Sequence, residues 1–291
     1  MIRNCVLIMM VVVASWLIPH PADAAQSYDN CTGFITSLPA TISTQGTWCL
    51  NKDVSTAVTS GAAITIAANN VTLDCNDFKL GGLAAGLTTQ AVGVYALDRF
   101  NISVRHCNIR GFYFGIELEA NSASSSGGHS IEDNRFDGNT RVGLIVRGDG
   151  SRVRGNRVFD SGGATVGNGA AYGIVTTYNV DVLDNTVSGV VATSGSGQSG
   201  IGIQTYLNTS SSVNGNRVSG VLGDGANFGV AIYNFSSARM ALRDNDLLGS
   251  AATGSVGISC VDGNASAKNN EINGFATALG SCSDDGQNTV H

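Results

Sequence analysis

A six-residue unit returns along most of this chain: an apolar residue, two polar ones, Asn, any residue, and a second apolar residue. It reads Ile131-Glu132-Asp133-Asn134-Arg135-Phe136, then Val153 to Val158, Val182 to Val187, Val213 to Val218 and Leu242 to Leu247, with a weaker copy at Ala267 to Ile272. Upstream, Val104 to Ile109 carries Cys107 in the Asn place, and Leu73 to Phe78 fits more loosely. With anchors at 76, 107, 134, 156, 185, 216, 245 and 270, the intervals are 31, 27, 22, 29, 31, 29 and 25 residues. Self-similarity at such a period marks a solenoid, and the uneven spacing marks one that keeps its strands while its loops vary. A second unit advances in step: Gly115-Ile116-Glu117-Leu118-Glu119 returns as strands opening on Gly143, Gly173, Gly202, Gly229 and Gly257, at intervals of 28, 30, 29, 27 and 28. Each turn therefore carries at least two short strands in fixed order.

Side chains alternate across a strand, so this unit points Ile116, Leu144, Ile174, Ile203, Val230 and Ile258 to one face. No single turn can bury that face, whereas stacked turns, about 4.8 Å apart, bury each other. Turn Asn residues can hydrogen-bond along their own column, and Gly permits tight corners. About eight coils at that rise make a rod on the order of 40 Å long. A composition rich in Gly, Ser, Thr, Asn and Val disfavours helices, and Pro39 is the one proline beyond residue 21, as a long ladder of backbone donors requires. The fold expected is all-β, a single-domain parallel β-helix, right-handed because parallel crossovers are. Scattered turn asparagines in an antiparallel sandwich would not explain two strand units advancing together.

The Asn-x-(Ile/Val)-x-Gly repeat, and the opening Ala63 to Asp74, resemble right-handed parallel β-helix repeat proteins of the pectin-lyase-like superfamily, over about residues 35 to 280. The resemblance is specific for fold and implies a carbohydrate-facing groove along one sheet. It is uninformative about activity, since the superfamily includes lyases, polygalacturonases, epimerases, tailspikes, adhesins and members without known activity. The polygalacturonase set is absent, its one paired match being Asp284-Asp285 in the tail, and no internal Asp-Pro supports an epimerase site. No clear match to the Arg and calcium-Asp arrangement of pectate lyases occurs either.

Residues 1–24 read as a signal peptide: Arg3, an apolar run from Cys5 to Ile18, then Ala22-Asp23-Ala24 before the cut. That run is shorter than the roughly 20 residues a membrane span needs, and no later stretch is long enough either. Residues 25–62 are expected to form an N-terminal cap and first strands, and residues 63–291 the β-helix with its C-terminal cap. The location implied is secreted or periplasmic. A net charge of −6 with few lysines argues against nucleic acid as a partner, which requires basic stripes. Beyond the signal peptide, which holds Cys5, an even six cysteines in an exported chain read as disulfides, with Cys31–Cys49, Cys75–Cys107 and Cys260–Cys282 the expected pairing among the connectivities six cysteines allow. Adjacent rungs put Cys75 and Cys107 within disulfide reach, although one position out of register.

Outward columns carry the candidate chemistry. Four residues after each strand Gly come Glu119, Arg147, Thr177, Tyr206, Tyr233 and Val261; two after come Glu117, Ile145, Val175, Gln204, Ala231 and Ser259. Rings suit sugar C–H faces and charges suit hydroxyls or uronates, so Tyr206, Tyr233, Gln204 and Arg147 are the expected substrate-binding residues. If the chain is an enzyme, Arg147, Glu117 and Glu119 are its catalytic candidates, Arg147 neutralising a uronate or acting as base and a Glu serving as acid or base. A solvated strand face with an ordinary ion pair accounts for the same residues. Beside the Asn column, Arg105, Glu132 and Arg154 stack next to His106, Asp133, Asp184 and Asp244. Calcium is the one ion such a column brings to mind, but Gly155 and Gly215 interrupt it and space the acids about two rungs apart. No cofactor is otherwise implied, and the histidines beyond the signal peptide (His106, His129 and His291) have no nucleophile arrangement around them. The segments Gly189–Gly200 and Gly220–Asn227 read as loops. The function expected is binding, with or without modification, of an extracellular or envelope polysaccharide; a non-catalytic structural or adhesion module is the alternative. A concave groove rather than a flat wall separates the two. Oligomeric state is not readable.

Overall fold

Each turn of chain lays down three short strands, and every strand pairs in parallel with its counterparts in the turns before and after. The computed structural model describes Tyr28, residues 30–207, 210–225, 228–236 and 239–291. The expected signal peptide lies outside the described residues, as do Ala226 and Asn227 of one expected loop. Within the unit Cys31–His291 the strands form three parallel sheets. The first, of 11 strands, runs from Gly33–Phe34 to Ser283–Asp284 and is here called the anchor sheet. A second, of 10, runs from Val54–Ser55 to Thr289–Val290. The third, also of 10, runs from Ala40–Ile42 to Thr277–Gly280 and is called the groove sheet. The described unit is thus a parallel β-helix. The eight anchor positions follow consecutive strands of the anchor sheet, from Val71–Asp74 to Ser266–Lys268, and shorter strands extend the sheet at both ends.

The core is built from columns. Val94, Ile116, Leu144, Ile174, Ile203, Ile232 and Ile258 stack inward in the groove sheet, all fully shielded from solvent. Val230 is not in that column. The pairing sets Gly229 against Gly200 rather than Gly202, so Ile232 takes the core position and Val230 faces outward. Ala231 fills the place that Gly202 holds one turn earlier, where a β-carbon already meets the next strand's backbone closely.

At the corner after the anchor sheet, asparagine amides form a continuous ladder. The N–H groups of Asn134, Asn156, Asn185, Asn216, Asn245 and Asn270 each donate to the Oδ1 of the next anchor, at 2.9–3.1 Å, ending on Asn288. Each Nδ2 also donates to a backbone carbonyl of the preceding turn, as Asn185 does to Val153 at 3.0 Å. Buried polar groups must find partners, and this column supplies them for the whole corner. The residue before each anchor from Cys107 onward sits at positive φ: His106 at 50°, Asp133 at 53°, Asp184 at 54°, Asp244 at 54° and Asn269 at 57°, with Gly155 at 65° and Gly215 at 67°. Left-handed backbone favours Gly, Asn and Asp, so conformation accounts for the residue types of this column without a bound ion. The acids are spaced by packing as well: a β-carbon at Gly215 would stand 2.5 Å from Asp184 Oδ1.

Cys75 and Cys107 occupy the first two places of the ladder and are joined, with Cα atoms 4.7 Å apart. Their one-residue offset arises because the left-handed residue precedes Cys107, as His106, but follows Cys75, as Asn76. Cys31–Cys49 and Cys260–Cys282 bond near the two ends of the unit, with Cα separations of 5.8 and 5.1 Å. Among the described residues no helix is long and apolar enough to cross a membrane.

Candidate functional site: a trough on the groove sheet

Five consecutive strands, Phe114–Glu119, Val142–Arg147, Ala171–Thr177, Gly200–Tyr206 and Gly229–Phe235, set the outward columns of the groove sheet. One column runs Phe114, Val142, Tyr172, Ile201. The middle one runs Glu117, Ile145, Val175, Gln204, Tyr233, and the third Arg147, Thr177, Tyr206, Phe235. Over these columns lies a trough of about 870 Å³. Val142, Ile145 and Val175 make a packed aliphatic floor, against which Phe114, Tyr172 and Tyr206 lean. Three apolar side chains buried on the outer face of a solenoid form an apolar patch separate from the core.

At one side of the trough the lining residue Arg141 leads into loops tied to each other. Arg141, just ahead of Val142, donates to Tyr113 Oη at 2.6 Å and to Asn168 Oδ1 at 3.1 Å, holding the segment between Phe159 and Ala171. Asn168 donates to Gln198 in the next loop at 3.4 Å, and the Gly197 N–H donates to Asp224 in the one after at 2.7 Å. The expected loop Gly189–Gly200 is the middle member, although Gly200 itself opens a strand. On the other side Tyr178, Leu207 and Ser236 edge the trough at the strand ends.

Charge gathers around Arg147, which lines the trough, while Glu117 and Glu119 stand outside its lining. Arg147 Nη1 meets Glu119 Oε2 at 2.7 Å. Burial and then the neighbouring Glu119 charge push the Glu117 carboxyl up to about 7, against the pull of Arg147. Burial also raises Glu119, opposed by the same arginine. The Tyr206 phenol is raised by burial first, then by Tyr172 and Tyr233. At the centre Gln204 is 4% exposed, and its Oε1 has no hydrogen-bond partner among the described residues.

Of the expected binding residues, Tyr206, Gln204 and Arg147 line the trough. Tyr233 is two residues out of the expected register: it pairs with Gln204, while Phe235 pairs with Tyr206. Ala231, expected to face outward, is fully buried for the same reason. The Tyr206 and Phe235 rings lie 5.4 Å apart, and Tyr233 meets Phe235 at 5.8 Å. Phe114, Val142 and Tyr172, which precede the strand Gly, were missed because strict alternation assigns position −1 to the core face together with position +1, whereas the chain breaks alternation at the glycine and turns these side chains outward. On the anchor sheet, Arg105, Glu132 and Arg154 do stack on consecutive rungs, with Arg105 on Asp74 at 2.8 Å and Arg154 on Asp184 at 3.3 Å. His129 is a corner residue: its Nδ1 accepts from the Ile102 N–H at 3.2 Å and its Nε2 meets Ser126 Oγ at 2.8 Å.

With this geometry in hand, comparison with known proteins adds the following. The sequence pattern of the family described as "Periplasmic copper-binding protein (NosD)" matches residues 83–264. No curated protein matches the chain. Among solved structures, a mutant tailspike protein of E. coli bacteriophage HK620 in complex with pentasaccharide aligns with a TM-score of 0.51 at 13% identity, over 85% of this chain and 60% of the tailspike. A double mutant of the same tailspike, also with pentasaccharide, aligns at 0.46 and 14% identity, over 89% and 56%. This chain therefore spans about three fifths of the tailspike's length, and at such identity the likeness is one of fold.

The copper of the family's description was tested against the donors present. The six cysteines of the described unit are all in disulfides, which leaves no thiolate. Both His129 nitrogens are engaged, and His106 Nδ1 faces Asp74 at 3.3 Å. No three His, Cys, Asp or Glu side chains converge on a metal position among the described residues. These residues do not fit the ion, and nothing below is routed through it. The matched stretch is nonetheless more than half of the chain, it lies wholly within the parallel β-helix, and its family is periplasmic, one of the two locations expected of the sequence: the chain belongs to the NosD family.

Proposed function

We propose that the trough binds an extracellular or envelope polysaccharide laid along the helix axis. The observation that carries this reading is the pairing of an aliphatic floor with rings at Tyr172, Tyr206 and Phe235 on adjacent rungs. A sugar ring has apolar C–H faces and a polar rim, and an open trough with an apolar floor and polar edges suits both. A flat display surface needs no such floor, which weighs against the structural or adhesion module. That the tailspike sharing this fold was solved with a pentasaccharide adds support by analogy of fold.

Modification of the bound polymer would draw on the charged end. Glu117, held protonated close to neutral pH, is the proton donor of that reading, and Glu119, fixed by Arg147, the carboxylate beside it. The test is a glycan array with the purified mature protein and with the Tyr206→Ala/Phe235→Ala variant. Retention of one polymer class that the variant loses supports the reading. Absence of retention across uronates, neutral glycans and amino-sugar polymers overturns it. Incubation of the retained polymer with the parent protein and with Glu117→Gln then separates binding from chemistry.

A further inference from the structure

We infer that the saccharide this trough takes is an N-acetylated amino sugar rather than a polyuronate, an inference that rests on the saccharide reading above. Two observations carry it. The first is charge. Arg147 is already paired with Glu119 at 2.7 Å, and Glu117 stands beside them. A polyuronate would bring a carboxylate with every residue to this end, and the only lining cation without an acidic partner among the described residues is Arg141, at the loop side. With Arg147 already neutralised by Glu119, a uronate carboxylate would be desolvated at this end without a free cation to meet it, so the arrangement selects against such a polymer.

The second is the juxtaposition of Val175 and Gln204, which are register partners on adjacent strands of the middle column. Val175 belongs to the aliphatic floor. Gln204 lines the trough, is nine-tenths buried, and keeps an acceptor oxygen that no described donor reaches. Buried acceptors without donors are uncommon in folded proteins, and this one, itself shielded, comes within a ligand's reach when the carboxamide turns its oxygen toward the trough. An acetamido group carries a methyl and an N–H donor side by side. Its methyl meets the floor at Val175 and its N–H the carboxamide of Gln204, one strand spacing away. A plain hydroxyl supplies the donor but no methyl; an unmodified ammonium supplies donors but loses its hydration over an apolar floor.

The experiment is a titration of the mature protein with oligosaccharides of N-acetylglucosamine and N-acetylgalactosamine, each beside its de-N-acetylated form, with a neutral glucan oligomer and a galacturonan oligomer as controls. The expected result is binding of at least one acetylated ligand about tenfold or more tighter than its de-N-acetylated partner, the discrimination one methyl in an apolar site supplies. In Gln204→Ala, whose thermal unfolding serves as the folding control, that ratio should shrink. Glucan or galacturonan binding as tightly as the acetylated ligands, or acetylated and de-acetylated forms binding alike, overturns the inference while leaving the saccharide reading intact. Binding to none of these probes overturns both.

Discussion

The Tyr206 ring meets the Phe235 ring at 5.4 Å with their planes tilted by 58°, on neighbouring strands whose backbones are in register. Tilted rings at this distance attract beyond the area they bury, so each holds the other's orientation. Replacing either by Ala should weaken the glycan retained on the array by about tenfold, the effect of a buried aromatic anchor. Because the rings touch, the double variant should lose less than the product of the two single losses. Isothermal titration of the four proteins against one ligand checks this, and strict additivity would show that the rings act separately.

Asn185 donates to Val153 O and to Asn216 Oδ1, each at 3.0 Å, while its own Oδ1 accepts from the Asn156 N–H at 2.9 Å. Asn185→Ala leaves at least two buried groups unpaired and should cost about 2–6 kcal/mol at roughly 1–3 per group. Asn288, at the half-buried end of the ladder, should cost about 1 kcal/mol when changed to Ala, since water can replace its bonds there. Urea unfolding of the two variants gives the comparison.

Burial pushes His129 down to about 4 from an ordinary value near 6.5. The unfolded chain therefore binds a proton that the folded chain refuses between these values. Stability from this residue is present above pH 6.5 and is lost as pH falls toward 4. His129→Gln, though less stable at neutral pH, should show a flatter melting temperature across that window. An unchanged slope would place the acid sensitivity elsewhere.

Glu117 behaves in the opposite sense. Its folded value, about 7, lies above the ordinary 4.5, so the folded chain holds the extra proton and this site loses stability as pH rises from 4.5 through 7. Glu117→Gln should match the parent near pH 4.5 and melt higher than it at pH 8. The same variant with the same melting temperature at both would mean that the carboxyl is well solvated.

Much of this molecule is written in its repeats. The Asn anchors and the inward Ile and Leu columns depend on local period, and a period survives any variation in loop length. The place where the reading slipped is instructive. Gly200, Gly202 and Gly229 are all small residues near a strand start, and only pairing decides that Gly229 answers Gly200. From Ile232 on, the two-residue slip keeps the alternation, so Tyr233 still faces outward with a different cross-strand partner, while Val230 and Ala231 before it change face. The aliphatic floor was less legible for another reason. Ile145 and Val175 stood in the outward column, but nothing local distinguishes an apolar residue beneath a trough from one merely exposed. The loops tied together beyond Arg141, through Asn168, Gln198 and Asp224, carry no period at all.

The amide ladder also governs how such a molecule can change in length. Every interior asparagine hands a donor to the turn after it and a second donor to the turn before. Excising one complete repeat, from the residue after Asn156 through Asn185, would let Asn156 meet Asn216 in the manner it now meets Asn185, with each bond restored. Losing a few residues inside a strand or corner would instead strand two turns at once. Descendants of this sequence are thus expected to differ by whole turns and by loop insertions, and to keep the corners at a fixed count of residues.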